Sequence, residues 1–257
     1  MALIHIKDLT FCYDGSYDNI FEHVSFQIDT DWKLGFIGRN GRGKTTFLNL
    51  LLGKYEYSGQ ISSPEEFTYF PFAVEHPEWN TRAVAERVCP GVQAWELLRE
   101  LSLLEVEEDV LDRPFSTLSN GEQTKVLLAA LFLNEDRFLL IDEPTNHLDE
   151  QARRTVSRYL SRKRGFILVS HDRAFLDQCV DHILSINKTN IEIQRGNFSS
   201  WQENKSRRDQ FELAEHEKLQ KETRRLAETA KRAAGWSDAL EKTKYGTRNA
   251  GLRPDRG

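Results

Sequence analysis

Hydrophobic and polar residues alternate in short runs along the first part of the chain, between residues 2 and 36. Alternation with a period of two puts every second side chain on one face, which is typical of half-buried β-strands. The runs LIHIKDLTFCY, VSFQID and KLGFI therefore predict antiparallel strands at the start of the chain. These strands lead directly into a glycine-rich segment.

Further along, segments with helical periodicity alternate with short apolar runs. Helices are predicted around Arg82–Val110, Glu122–Leu133 and Glu150–Leu160, and another begins at Arg173. The runs RFLLID and GFILVS have the length of buried strands, and HILSI with IEIQR is typical of a closing hairpin. Strands that alternate with helices indicate an α/β domain with a largely parallel sheet.

After Gly196 the apolar runs give way to dense charge. Residues 199–233 contain neither glycine nor proline and predict one long helix, whereas residues 243–257 contain both and predict an irregular tail. From residue 197 onward there are 14 Lys and Arg against 10 Asp and Glu, while residues 1–196 carry 21 against 30. A basic segment beside an acidic body is typical of polyanion binding, although a solvated charged helix has the same composition.

The composition of the 257 residues, 39 % hydrophobic and 29 % charged, predicts a soluble protein. The longest apolar stretch, Val126–Leu133, is too short to span a membrane, and the first ten residues lack the apolar core of a signal peptide. Three widely spaced cysteines, Cys12, Cys89 and Cys179, show neither metal-ligand nor disulfide spacing. These features predict a protein of the reducing cytoplasm, without a membrane span.

The segment GRNGRGKTT has the spacing of a phosphate-binding loop, G-x-x-x-x-G-K-[ST]. It lies between a predicted strand and a predicted helix, so backbone N–H groups and the helix N-terminus can face an anion. Lys44 is placed to reach the β- and γ-phosphates of a nucleotide, and Thr45 to bind Mg²⁺. The predicted nucleotide-binding residues here are Gly38, Arg39, Asn40, Gly41, Arg42, Gly43, Lys44, Thr45 and Thr46.

Two acidic residues follow the apolar part of the predicted strand RFLLID. Asp142 ends the strand and is placed to hold Mg²⁺ through water, and Glu143 comes next, where a carboxylate can deprotonate an attacking water. His171 follows the strand GFILVS, at the sheet edge from which a histidine can reach a terminal phosphate. Acids after a strand can be simple helix caps, but the phosphate loop upstream favours the catalytic interpretation.

The segment LSNGEQ indicates a second anion site. Ser119 is a natural N-cap, and the helix that follows it, with Gly121 in its first turn, presents free N–H groups. A serine before a helix is often only a cap. Its position between the phosphate loop and the acidic strand favours a role toward a nucleotide.

The order of these motifs resembles the nucleotide-binding domain of ABC ATPases, a P-loop NTPase fold, across about residues 2–196. The resemblance implies Walker A at Gly38–Thr46, the signature motif at Leu118–Gln123, Walker B at Leu139–Asp142, the D-loop at Asn146–Asp149, the catalytic glutamate at Glu143 and the switch histidine at His171. It further implies an antiparallel β subdomain, a helical subdomain at about residues 73–135, and hydrolysis of ATP with Mg²⁺.

The same resemblance implies residues that a sequence pattern alone would not assign. Tyr13 matches the aromatic position that stacks on adenine, and Phe11 is the less favoured alternative. In this family ATP lies between Walker A of one domain and the signature motif of another. Ser119 and Gly121 would therefore serve the nucleotide of a second ABC domain, in the same protein or in a homodimer, and Asp149 of the D-loop joins the nucleotide-binding set.

Two segments, NHLD from Asn146 and SHDRAFLD from Ser170, are similar to the soluble ABC-F proteins rather than to membrane transporters. This resemblance implies two ABC domains joined by a charged helical linker that reaches ribosomal RNA and tRNA, with residues 197–257 as the first part of that linker. The tail GWSDALEKTKYGTRNAGLRPDRG resembles the antibiotic-resistance branch, which protects ribosomes against lincosamides, streptogramin A and pleuromutilins. We therefore expect the natural chain to continue beyond Gly257 into a second domain.

Two positions depart from the family pattern. Asn120 replaces the usual glycine of the signature motif, and Phe72 stands where a glutamine is expected after the strand FTYFPF. An aromatic ring cannot ligate Mg²⁺ or orient water, so Phe72 puts the hydrolysis rate of this site in question. The alternatives are the ATPase subunit of a membrane transporter, which needs that glutamine, and a chromatin or DNA-repair ATPase, which needs a long coiled-coil insertion.

Overall fold

The computed structural model describes residues 2–16, 18–39, 41–134, 137–186 and 191–249, with side chains described as far as residue 231. By its contacts the chain divides into two units, Met1–Trp201 and Gln202–Gly257. In chain order the elements are β1 (Leu3–Phe11), β2 (Phe21–Asp29), β3 (Lys33–Ile37), α1 (Lys44–Leu51), β4 (Ser58–Ser62), β5 (Glu66–Phe70), α2 (Thr81–Val88), α3 (Ala94–Leu103), two 3₁₀ turns (Glu108–Asp112 and Phe115–Thr117), α4 (Asn120–Phe132), β6 (Arg137–Asp142), α5 (Glu150–Ser161), β7 (Phe166–Val169), α6 (Arg173–Cys179), β8 (His182–Ile186), β9 (Ile191–Arg195) and α7 (Phe198–Asn249).

The strands form two sheets. A three-stranded antiparallel sheet has the order β2-β1-β4, and a six-stranded sheet has the order β5-β6-β7-β3-β8-β9. In the larger sheet only β9 runs antiparallel to its neighbour. This confirms the predicted α/β fold, but β3 was wrongly grouped with the antiparallel strands, because an apolar run indicates burial and not the direction of its neighbours.

Side chains of the parallel strands alternate between two hydrophobic clusters. Phe138 and Leu140 of β6 pack in a cluster with α1 and the antiparallel sheet. Leu139 and Ile141 of the same strand pack in a second cluster with helices α2 to α6. Both faces of the strand are covered, which is why RFLLID is almost continuously apolar and still forms a strand. Asp142, at the carboxyl end of β6, belongs to neither cluster.

The helical region after β5 is broken into shorter pieces than the sequence predicts. The predicted helix at residues 82–110 consists of α2 and α3, separated by Pro90 and by Gly91 with a φ of +84°. Proline and a left-handed glycine end a helix because neither fits its interior hydrogen-bond pattern.

The long helix α7 extends to Asn249, further than its predicted end at residue 233. The prediction of an irregular tail is therefore wrong for residues 243–249, and residues 250–257 lie outside the described residues. The part of α7 beyond residue 233 contains two glycines, Gly235 and Gly246, and each costs a helix only about 1 kcal/mol, which good helix formers on either side can offset. Among the described residues no helix, α7 included, combines the length and apolar character needed to cross a membrane.

A buried ion-pair network joins α3 to α5. The Glu100 side chain is only 2 % exposed and pairs with Lys163 Nζ. Its carboxylate also accepts hydrogen bonds from Tyr159 Oη at 2.7 Å and from Arg99 Nη2 at 3.1 Å. Burial alone would raise the pKa of Glu100, but the bonds from Lys163 and Tyr159, the Lys163 charge and the Arg99 bond outweigh it and lower this pKa.

Lys163→Met is expected to destabilise the protein by about 3 kcal/mol at neutral pH, the lower end for breaking a buried ion pair, because it removes the less exposed of the two cations that pair with the buried Glu100 carboxylate and leaves only Arg99. Glu100, whose pKa is lowered by folding, stabilises the native state above its unfolded pKa, and this contribution is lost as the pH falls through the folded pKa. Urea unfolding at pH 7 measures the loss. The double variant Glu100→Gln/Lys163→Met should recover most of it, and equal stability of Lys163→Met and wild type would contradict the network's role.

Candidate functional site

A cavity of about 570 Å³ lies at the carboxyl ends of β6 and β7, above the glycine-rich loop that precedes α1. The predicted site residues that line it are Tyr13, Gly41, Gly43, Lys44, Thr45, Thr46, Asp142, Glu143 and His171. Asn146, the first residue of the predicted D-loop, also lines it, as do four residues that were not predicted: Ile20, Tyr69, Pro71 and Val169. Ligands of open α/β sheets bind at this edge because loops and helix N-termini converge there.

The glycines of the loop have different structural roles. Gly43 is the N-cap of α1 with a φ of +91°, and a Cβ at this position would lie 2.5 Å from Ile20 Cγ2. Only glycine fits there, on both conformational and steric grounds. Gly41 also has a positive φ, +76°, but no atom lies within 4 Å of its Cβ position. The open space beside Gly41 leaves room for a ligand to approach the backbone closely.

Lys44 lies over the loop that it follows. Its Nζ donates hydrogen bonds to the carbonyl oxygens of Gly38 at 2.8 Å and Arg39 at 3.5 Å. Burial lowers the pKa of Lys44, opposed by the charges of Glu143 and Asp142. The Arg42 N–H donates to the same Arg39 carbonyl oxygen at 3.2 Å, which closes the loop as a turn. Gly38, Arg39 and Arg42 thus build the loop without lining the cavity.

Thr45 and Asp142 meet on the floor of the cavity. The Thr45 hydroxyl donates to Asp142 Oδ2 at 3.4 Å. Among the described residues no group of three or more His, Cys, Asp and Glu side chains is placed to bind a metal. A hydroxyl beside one carboxylate suits Mg²⁺, which is commonly bound by one or two carboxylates together with waters and substrate phosphates.

Glu143 has the unusual features expected of a reactive carboxylate. It has a φ of +50°, and its side chain is 18 % exposed. Its Oε1 is buried and accepts no hydrogen bond, although His171 Nε2 lies 3.5 Å away. Burial raises the pKa of Glu143 despite the opposing effect of His171. An unpaired acceptor with a raised pKa is suited to take a proton from a bound water.

The aromatic residue predicted to stack on adenine lies at the cavity entrance. Tyr13 is 41 % exposed, and its hydroxyl shares a 2.7 Å hydrogen bond with Thr46 Oγ1. Its ring makes edge contacts with Phe11 and Tyr55. Phe11, the alternative candidate, is only 6 % exposed. Of the two rings Tyr13 is therefore the one that a ligand in the cavity can contact.

The strand β5 contributes Tyr69, a residue that sequence reasoning missed. Its hydroxyl donates to Asp142 Oδ2 at 3.0 Å, and burial together with the Asp142 charge raises the pKa of Tyr69. Phe72, at the position of the expected glutamine, packs instead against the hydrophobic cluster of the helices. No local pattern in the sequence assigns Tyr69 to the site, because its partner Asp142 lies 73 positions away.

Three other predicted residues do not line the cavity. Ser119 caps α4, where it accepts from the Glu122 N–H at 3.2 Å and donates its hydroxyl to Glu122 Oε2 at 2.7 Å. Gly121 lies in the first turn of that helix, and Asp149 caps α5 by accepting from the Ala152 N–H at 2.7 Å. The remaining predicted residue, Asn40, lies outside the described residues.

Comparison with known families assigns the fold. Residues 21–146 match the family model described as ABC transporter. A solved chain described as an inward-facing metal-chelate type ABC transporter superposes with a TM-score of 0.61 at 21 % identity, covering 76 % of this chain and 83 % of that one. At this identity the likeness shows the fold alone.

Curated relatives come from bacteria and eukaryotes. The ribosome protection protein VmlR of Bacillus subtilis is 32 % identical over 88 % of this chain and 39 % of its own length. The uncharacterized ABC transporter ATP-binding protein YfmM of the same species is 29 % identical over 98 % and 56 %. Mouse ATP-binding cassette sub-family F member 3 is 31 % identical over 68 % and 25 %.

The chain thus spans about a quarter to just over half of these relatives' lengths. The matched residues 21–146 run from β2 through the phosphate loop to the acids after β6, so the family match covers most of the cavity described above. With its parallel sheet, phosphate loop and paired acids, the part of the chain that holds this cavity is an ABC-type ATP-binding domain with ATPase activity.

Proposed function

We propose that this domain binds ATP with Mg²⁺ in the cavity above the phosphate loop and hydrolyses it together with a second ABC domain. The observation that carries the proposal is the convergence of Lys44, Thr45, Asp142, Glu143 and His171 on one cavity. These are the parts that phosphoryl transfer to water requires: a cation for the phosphates, metal ligands, and a base.

Each of these side chains has a defined task in the proposed reaction. Lys44 exchanges the Gly38 and Arg39 carbonyl oxygens for the β- and γ-phosphate oxygens. Thr45 and Asp142 hold Mg²⁺, which when bound neutralises charge that develops on the phosphates. Glu143 Oε1, which accepts no hydrogen bond, takes the proton of the attacking water. His171, 3.5 Å from this oxygen, holds the carboxylate and the terminal phosphate in place.

The second domain is proposed because the signature residues lie away from the chain's own cavity. Gly121 supports this assignment. A Cβ on Gly121 would make only ordinary contacts, 3.8 Å to Leu148 Cδ2 and 4.0 Å to the His147 carbonyl oxygen. Packing within the chain therefore does not require glycine, whereas close approach of an external phosphate to the helix N-terminus would.

We further propose that the whole protein is a cytoplasmic ABC-F type ATPase that acts on the ribosome, in the antibiotic-resistance branch. Similarity to VmlR over 88 % of the chain supports the ribosomal role. The charged helix α7 supplies the surface, because Arg224, Arg225 and Lys231 are exposed on it. Basic side chains of this kind bind the phosphates of ribosomal RNA or tRNA.

A short chain of contacts connects the proposed ATP site to the start of α7. The helix α6 begins two residues after His171. Its Asp177 accepts hydrogen bonds from the Ser199 N–H at 2.8 Å and from the Ser199 hydroxyl at 2.9 Å. The Arg173 guanidinium lies over the Phe198 ring at 5.6 Å. A shift at His171 when ATP is hydrolysed would thus be transmitted to the first turn of α7.

Reversing the charge of Arg224, Arg225 and Lys231 to Glu is expected to weaken ribosome binding while ATP binding stays intact. Each lost phosphate contact should reduce the slope of log affinity against log salt by about one. Cosedimentation with ribosomes over a series of salt concentrations measures both quantities.

The matched control reverses three exposed basic residues of the other unit, Lys7, Arg162 and Arg164, which changes the net charge equally. If both triple variants lose ribosome binding to the same extent, net charge and not α7 is responsible. If the α7 variant binds like wild type at physiological salt, the ribosomal contact lies elsewhere.

A further inference from the structure

The hydroxyl of Tyr69 has a place in the site that no motif assigns to it. It donates to Asp142 Oδ2 at 3.0 Å, the same oxygen that accepts from Thr45 at 3.4 Å. Both hydrogen bonds fall on one carboxylate oxygen, so together they fix the direction in which Asp142 presents its second oxygen. Partners of this kind, which orient a metal ligand without touching the metal, strongly affect metal affinity.

The position of Tyr69 is set by rigid neighbours. Tyr69 pairs with Leu140 in the parallel ladder between β5 and β6, so its backbone is fixed relative to the strand that carries Asp142. The Tyr69 ring packs against the hydrophobic cluster that contains α1 and the antiparallel sheet, and Lys54 Nζ lies 5.4 Å from the centre of the ring. A hydroxyl held by a strand and a packed ring costs little entropy to keep in place.

Phe72, which follows β5 and stands at the position of the expected glutamine, does not contribute to the site of Thr45 and Asp142. Phe72 packs against the helical cluster and lines a second cavity of about 370 Å³ beside α2, which Tyr69 also lines, but Phe72 does not line the cavity above the phosphate loop. From β5 and the turn after it, the cavity above the phosphate loop is lined only by Tyr69 and Pro71 among the described residues. Pro71 has no polar side chain, which leaves Tyr69 as the polar group that this segment supplies to the acidic strand.

We propose that Tyr69 is a positioning residue for the metal site: it orients the Asp142 carboxylate for Mg²⁺. The inference rests on the proposed function, because it assumes that Thr45 and Asp142 hold the metal. In this proposal Tyr69 holds the Asp142 carboxylate in a fixed orientation, although Phe72 stands where the family pattern has a polar glutamine. Tyr69 acts through Asp142 and does not contact the reacting atoms.

The test compares Tyr69→Phe with wild type, using Mn²⁺ in place of Mg²⁺ as an electron paramagnetic resonance probe. We expect the dissociation constant of Mn²⁺ from the protein–ATP complex to rise about tenfold in Tyr69→Phe, the lower end for loss of such a partner. ATP affinity in EDTA should be unchanged, because the phosphate loop is untouched. The control is Tyr57→Phe, since Tyr57 packs against the same cluster but does not line the cavity.

Each outcome separates the inference from the function on which it rests. Wild-type Mn²⁺ affinity in Tyr69→Phe overturns the inference alone. Equal loss of ATP affinity with and without metal also overturns it, because Tyr69 would then only support the fold. A wild-type protein that binds no Mn²⁺ with ATP overturns the proposed function and the inference together.

Discussion

Glu143→Gln is expected to retain ATP binding and to lose roughly 10²–10⁴-fold in the rate of hydrolysis, the usual contribution of a general base. Glutamine keeps the shape of the side chain but cannot accept the proton of the attacking water. The structure favours Glu143 for this task because its Oε1 is buried, accepts no hydrogen bond and lies 3.5 Å from His171 Nε2. No other acidic side chain described by the structure lines the cavity apart from Asp142, whose carboxylate is held by two hydroxyls.

Single-turnover hydrolysis of radiolabelled ATP measures the effect directly. Glu150→Gln is the matched control, because Glu150 is an exposed glutamate on α5 that does not line the cavity. Since burial raises the pKa of Glu143, the wild-type rate should fall on the acid side with a midpoint above that of an ordinary glutamate. Wild-type turnover in Glu143→Gln would remove Glu143 from the reaction.

Lys44→Ala is expected to weaken ATP binding by about 10–100-fold, because charge-assisted hydrogen bonds contribute about 1.5–3 kcal/mol each and a factor of ten in affinity corresponds to 1.4 kcal/mol. The lysine is already in place, since its Nζ lies 2.8 Å from the Gly38 carbonyl oxygen inside the loop. Burial lowers the pKa of Lys44 because it removes water from the ammonium group. Phosphate oxygens would replace that water as partners of the charge.

Titration with three nucleotides makes this test specific. ATP and ADP affinities should fall in Lys44→Ala, whereas AMP affinity should stay close to wild type, because the lysine reaches only the β- and γ-phosphates. The control is Lys7→Ala, an exposed lysine outside the cavity. An equal loss for all three nucleotides would mean that the substitution disrupts the loop, and unchanged ATP affinity would sink the phosphate-loop assignment.

The sequence predicted the fold where local patterns and tertiary structure agree. The glycine-rich loop, the apolar strand before it and the helix after it are adjacent in the sequence, so the sequence alone predicts all three and their order. The acids after β6 were found for the same reason, because a buried strand that ends in two carboxylates is visible in the sequence. The helix cap predicted at Ser119 also forms, because the serine and the N–H group that it caps lie only three residues apart.

What the sequence missed depends on distant residues. Tyr69 and Asp142 are 73 positions apart, and only the pairing of β5 with β6 brings them within hydrogen-bond distance. Ile20 lines the cavity because the antiparallel sheet places it against Gly43, which no periodicity reveals. The sequence predicts the end of α7 too early because Gly235 and Gly246 are typical of helix ends, whereas the good helix formers around them continue the helix to Asn249.

The most direct test of the central claim, a shared ATP site, is turnover by a mixture of two inactive variants. Gly121→Asp should fold normally, because a Cβ there makes only ordinary contacts and an acid is favourable in the first turn of α4. Its charge would repel the phosphates of the partner's nucleotide. When residues 1–257 are used by themselves, the second ABC domain is another copy of the same chain. We predict that Gly121→Asp and Glu143→Gln are then each inactive alone, and that mixing them restores hydrolysis, since an intact Glu143 meets an intact Gly121. Gly121→Asp that hydrolyses ATP by itself at the wild-type rate would contradict the account.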